Sequence, residues 1–100
     1  MFTVRQTEEF QDWLDALKDT RAQVRIAARI RLAEAGNLGD WKTVGGEVFE
    51  MRVDTGPGYR LYFTRRGSVL IIMLAGGIKS TQSRDIKRAQ KILTQLEIDL

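Results

Sequence analysis

From Val48 to Phe63 the chain alternates apolar and polar side chains with period two on either side of a Gly56-Pro57-Gly58 turn, and few folds accommodate that pattern. Successive side chains of a strand point to opposite faces. Phe49, Met51 and Val53 therefore share one face with Tyr59, Leu61 and Phe63 of the returning strand. Glu50, Arg52, Arg60 and Tyr62 share the other. Such a hairpin needs a core on its first face and offers two guanidiniums, a carboxylate and a phenol on its second. That polar face is suited to gripping a phosphodiester.

The rest of the chain supplies the core. Phe2-Thr3-Val4 reads as a short edge strand, and Thr7 as the N-cap of a helix with Glu8 and Glu9 in its first turn. Phe10, Trp13, Leu14 and Leu17 then recur at helical spacing. Thr20 is positioned to cap a second helix that ends near Ala35, with Gly36 at its left-handed terminus. This helix has two apolar stripes, Ile26-Ile30-Ala33 and Val24-Ala28-Leu32-Ala35, which predicts packing against both a sheet and a neighbouring helix. Arg21, Arg25 and Arg29 share its solvent side. Asn37 to Gly46 reads as a loop containing Trp41 and Lys42, and Arg66-Gly67 as a turn. Val69 to Ala75 is apolar on both faces and predicts a central strand that Gly76-Gly77 ends. Ser83 can cap a final helix with Ile86, Ala89, Leu93 and Leu96 inward. The expected order is β-α-α-β-β-β-α. Residues 1–100 form a single α+β domain with a twisted, mainly antiparallel sheet, an N-terminal helix pair and a C-terminal helix, the helices packed on one side.

Composition narrows the chemistry. The 100 residues include no cysteine and no histidine, so thiolate metal sites, disulfides and imidazole acid–base devices are excluded. No metal or cofactor is expected. Any catalysis must use Lys, Arg, Asp, Glu, Tyr, Ser or Thr. The formal net charge of +3 fits a nucleic acid or an acidic protein and selects neither. The longest apolar run, Val69 to Ala75, is far short of the roughly 20 residues of a spanning helix. A cytoplasmic chain without membrane contact is the expectation.

Gly36-Asn37-Leu38-Gly39-Asp40, Glu50-Met51-Arg52, Gly56-Pro57-Gly58-Tyr59-Arg60-Leu61-Tyr62-Phe63 and Gly76-Gly77-Ile78-Lys79-Ser80-Thr81-Gln82, in this order after a helix pair, resemble the RelE/ParE toxin superfamily. Within it the chain is most similar to the HigB-like addiction module killer proteins. The resemblance covers Phe10 to Ala89 and implies the RelE-like fold. It also implies a type II toxin held by a cognate antitoxin, expected to be of the helix-turn-helix type, in a heterodimer or heterotetramer. Most RelE-like and HigB-like members are mRNA interferases that cut mRNA on the ribosome, whereas ParE-like members inhibit DNA gyrase.

Cleaving RNA without metal requires loss of the 2′-hydroxyl proton, stabilisation of the phosphorane and protonation of the leaving 5′-oxygen. Arg60 is the first candidate for the phosphate, because a guanidinium presents a planar, permanently charged fork. The resemblance matches it to an active-site arginine of the RNase toxins. Arg52 could bind a neighbouring phosphate, or either arginine could pair with Glu50 across the strands. Lys79 could transfer a proton or contact phosphate, and the resemblance places a basic residue of the toxin site in its segment. Glu50 could deprotonate the 2′-hydroxyl or orient the arginines. Tyr62 could stack on a base or cover the sheet. Lys42 and Arg65 would extend the basic RNA-facing surface. Many RNase toxins of the superfamily carry a tyrosine or histidine at the start of the last helix, but Gln82 to Arg88 has neither. Phosphate binding is therefore better accounted for than proton transfer. The rival readings are a gyrase inhibitor acting through Arg21, Arg25 and Arg29, and a non-catalytic co-repressor partner of the antitoxin.

Overall fold

The computed structural model describes residues 1–99. The elements run β1 (Thr3–Gln6), α1 (Glu8–Asp15), α2 (Thr20–Glu34), β2 (Trp41–Gly45), β3 (Val48–Val53), β4 (Tyr59–Arg66), β5 (Leu70–Ile78), a short 3-10 turn (Lys79–Thr81) and α3 (Gln82–Asp99). The sheet has the order β1-β5-β4-β3-β2, with β1 parallel to β5 and the other neighbours antiparallel. The α+β class and the predicted helix pair, hairpin and C-terminal helix are all present. No described helix is long and apolar enough to cross a membrane.

Thr7 caps α1 as expected, its Oγ1 accepting from the Phe10 N–H at 3.1 Å while its hydroxyl donates to the Leu74 carbonyl at 2.8 Å. One threonine thus starts the helix and fixes it to the central strand. The cap of α2 is Asp19 and not Thr20, with Oδ1 accepting from the Arg21 and Ala22 N–H groups. A carboxylate at that position also suits the helix dipole. Gly36 ends the helix at φ +99°, where a Cβ would be strained.

The structure corrects five further sequence expectations. Trp41 to Gly45 is an added edge strand paired to β3, because the Gly45-Gly46-Glu47 turn reverses the chain directly into Val48. The helices cover both faces of the sheet. Phe10, Ile26 and Ile30 pack with Met51, Leu61, Phe63 and Met73 on one side, and Ala89 and Leu93 of α3 pack with Tyr62, Leu74 and Ala75 on the other. Each large apolar side chain buried this way contributes about 1.5–3 kcal/mol. The second stripe of α2 is not core: Val24 is 65% and Leu32 45% exposed, and only Ala28 is half-buried. Gly76-Gly77 does not end β5. A Cβ on Gly76 would collide with the Trp13 ring and one on Gly77 with the Asp85 carboxylate, so these glycines let α1 and α3 approach the strand. Ser83 is not a cap either, since α3 continues out of the 3-10 turn and Thr81 occupies the junction.

Candidate functional site

Register fixes which polar residues meet. Lys42, Glu50, Tyr62 and Ala75 lie in one row across β2, β3, β4 and β5, and Arg52, Arg60 and Gly77 lie in the next. All belong to the face that α3 covers. The hairpin's polar face is therefore not an open phosphate grip: Glu50 and Tyr62 are completely buried and Arg60 is only 8% exposed. The alternation sorted the side chains correctly. What it left out was the helix laid over them.

Beneath α3 these groups form a partly satisfied polar cluster. Glu50 Oε2 accepts from the Gln82 side-chain amide at 2.6 Å, and Glu50 Oε1 faces Arg60 Nε at 3.5 Å. The anticipated cross-strand pairing of Glu50 with an arginine is thus made by Arg60. Arg60 Nη1 donates to the Tyr59 carbonyl at 3.2 Å. The Tyr62 hydroxyl has no hydrogen-bond partner among the described residues. Burial, then the Glu50 and Asp85 carboxylates, raise its pKa well above the ordinary tyrosine value, with Arg60 opposing. Tyr62 is a neutral core phenol, and no ring face is left for a base. Glu50 is enclosed, with Oε2 hydrogen-bonded and Oε1 in ion-pair contact with Arg60 but without a hydrogen bond, so the carboxylate is kept from the surface beside the guanidinium.

Lys79 stands at the rim. Its N–H donates to the Gly58 carbonyl at 2.8 Å, so the end of β5 is joined to the turn preceding β4. The position a Gly58 Cβ would occupy lies 3.3 Å from both Arg60 Nη1 and Lys79 Cβ. The two cationic side chains flank one bare glycine, itself at φ +79°. Lys79 is exposed, while Arg60 reaches the same point from within.

The other three candidates divide. Arg52 pairs with Asp40 at 3.1 Å, a partly exposed contact. Lys42 is exposed on β2, in the row of Glu50. Arg65 is set apart on the opposite face, where its guanidinium carbon lies 5.2 Å from the centroid of the Phe2 ring. Of the row Arg21, Arg25 and Arg29, the last is not a free surface residue. It donates to the Arg52, Leu38 and Asp40 carbonyls and so fastens the loop before β2 to α2. Burial lowers its pKa, opposed by the Asp40 charge.

Residues that organise this end of the sheet were missed in the sequence. Gln82 anchors Glu50. Thr81 donates to Asp85, and Asp85, 2% exposed, sits above Gly77. The available signal was the Gly76-Gly77 pair inside an apolar strand, which marks a close approach. Among the described residues no group of acidic side chains could hold a metal ion.

Comparison with known proteins gives two findings. A family model described as "Phage derived protein Gp49-like" matches residues 12–97. A Haemophilus influenzae protein whose description reads "Uncharacterized protein" is 45% identical over 93 residues, covering 93% of this chain and 94% of the relative.

Proposed function

The chain belongs to the phage-derived Gp49-like family, a family of RelE-like toxins, and from that membership we propose that it is a type II toxin that cuts mRNA on the ribosome. The HigB-like assignment forms part of the same proposal and rests on the motifs from Gly36 to Gln82. An antitoxin partner follows from the family. The single observation that supports the chemical reading is that Arg60 Nη1 and the stem of Lys79 both lie about Gly58, each 3.3 Å from the point a Cβ would take.

In this reading the scissile phosphate lies against Gly58. The 2′-oxygen forms its bond to phosphorus as the bond to the 5′-oxygen breaks. Arg60, held by Glu50, balances the negative charge that grows on the phosphorane oxygens. Lys79 donates the proton that the departing 5′-oxygen takes up, and the 2′-hydroxyl proton passes to water. Glu50 orients Arg60, and Gln82 orients Glu50. Arg52 and Lys42 flank this end of the sheet and contact neighbouring phosphates. The chain offers no obvious base, so alignment of the 2′-hydroxyl falls to the ribosome, in keeping with ribosome dependence.

A purified translation system tests the proposal. Wild-type protein cuts a reporter mRNA only when the start codon is intact. Lys79→Ala lowers the rate by about 10²–10³-fold, the usual loss for one transition-state donor. Because Lys79 is exposed, the fold tolerates the change. Unimpaired cutting by Lys79→Ala, or no cutting by wild type, contradicts the proposal. The gyrase reading loses one of its three arginines to an internal structural role, since Arg29 is tied to backbone carbonyls.

A further inference from the structure

Two guanidiniums stand side by side on the polar face of the hairpin, since Arg52 and Arg60 are direct cross-strand partners of β3 and β4. Like charges so placed repel, and each has a carboxylate beside it. The two carboxylates differ in kind. Glu50 is buried next to Arg60 and anchored by Gln82, so it stays in place. Asp40 meets Arg52 at the open end of the row, where the aspartate side chain is 59% and the arginine side chain 41% exposed. One contact holds this outer pair, Arg52 Nη2 donating to Asp40 Oδ1 at 3.1 Å. Arg52 Nε has no acceptor among the described residues.

The main chain under Asp40 is fixed independently of that contact. Arg29 reaches from α2 to the Arg52, Leu38 and Asp40 carbonyls and donates to all three, the last two at 3.2 and 3.5 Å. Gly39 folds over this guanidinium at φ +64°, where a Cβ would come within 2.7 Å of Arg29 Nη2. The Arg52 N–H donates to the Asp40 carbonyl at 2.9 Å and closes the loop. When the carboxylate releases Arg52, the loop therefore keeps its place and only a side-chain rotation is needed. Exposed ion pairs of this kind are weak and screened by salt. A phosphodiester offers two free oxygens to the guanidinium fork, so a polyanion can displace a carboxylate held at one oxygen.

We propose that Asp40 is a gate on Arg52: its carboxylate occupies the guanidinium in the free protein, and Arg52 takes up an RNA phosphate only when Asp40 turns away. The inference rests on the nuclease reading, which lays RNA along this end of the sheet, and adds a regulation of that same site. A phosphate bound at Arg52 must first displace an internal anion, so affinity for free RNA is held down. Engagement then needs the further contacts that the ribosome supplies, which gives ribosome dependence a cause at one residue. Asp40 contributes no atom to the reaction. It is a positioning residue that acts through Arg52, and Arg29 fixes the backbone from which it acts.

The test needs neither ribosome nor cleavage. A short single-stranded 2′-O-methyl RNA, which cannot be cut, is titrated with the protein and followed by fluorescence anisotropy between about 50 and 200 mM salt. Asp40→Asn keeps the shape of the side chain and the carbonyl contacts of residue 40. It is expected to bind several-fold more tightly than wild type, with a slope of log K against log salt steeper by about 0.7, the value for one more phosphate neutralised on a single strand. Asp12→Asn, exposed on α1, removes the same charge and is expected to leave that slope unchanged. Arg52→Ala added to Asp40→Asn should return the slope to that of wild type. A wild-type slope in Asp40→Asn, an equal gain in Asp12→Asn, a gain that survives Arg52→Ala, or no binding by Asp40→Asn each overturns the gate. Cutting of mRNA by a protein that fails this test removes the gate and leaves the nuclease standing; the expected binding without cutting does the reverse.

Discussion

Arg60 and Glu50 illustrate how one residue can serve both fold and site. Their contact lies under α3, and removing one member of a buried ion pair costs about 3–5 kcal/mol because the other charge is left stranded. Arg60→Ala is therefore expected to lower stability by about that much in urea unfolding. The double variant Arg60→Ala/Glu50→Gln should recover a large part of it. Loss of activity in Arg60→Ala alone reports on folding as much as on phosphate binding, whereas Lys79→Ala reports on chemistry. Tyr62 gives a second expectation. Its hydroxyl has no hydrogen-bond partner among the described residues, so Tyr62→Phe should be neutral or stabilising by up to about 1 kcal/mol at pH 7. The native state holds the Tyr62 proton more tightly than the unfolded chain does. Stability is therefore unaffected below pH 10.0, the ordinary tyrosine value, and falls as pH rises above it. Tyr62→Phe should flatten that alkaline decline, measured by urea midpoints between pH 9 and 11.

At the scale of elements, β5 and α3 decide what the site is. Gly77→Ala forces a Cβ into Asp85, and overpacking of this kind costs about 1–3 kcal/mol. Urea unfolding should show that loss, and it should be smaller in Gly77→Ala/Asp85→Ala, where the obstruction is gone. The sequence revealed the hairpin, the three helices and the two faces of β3 and β4, because periodicity records which side chains share a surface. It did not reveal what covers that surface. The inner stripe Ile86-Ala89-Leu93-Leu96 predicted a packed helix without saying on which side of the sheet it lies, so Glu50 and Tyr62 looked exposed. In the same way, Val24 and Leu32 looked like core and face solvent. Gly76-Gly77 looked like a strand end because glycine in a pattern of large residues reads as punctuation, whereas its cause lies in Trp13 and Asp85, more than 60 and 8 residues away in the chain respectively.

For the whole molecule, the arrangement concentrates cationic groups at one end of the sheet. Lys79 and Arg60 converge at the Gly58 turn, and Arg84 and Arg88 crown the start of α3 around the edge of β5. A net charge of only +3 means that this concentration, and not the overall charge, would draw in RNA. Translation-dependent mRNA cleavage through Lys79 is the function proposed for this fold. The most direct measurement is the mapping of mRNA 5′ ends in cells after induction of wild type and of Lys79→Ala. New 5′ ends are expected inside translated coding regions with wild type, absent when translation of the message is blocked, and strongly reduced with Lys79→Ala at equal protein level. Full-length mRNA accompanied by gyrase trapped on DNA would contradict it.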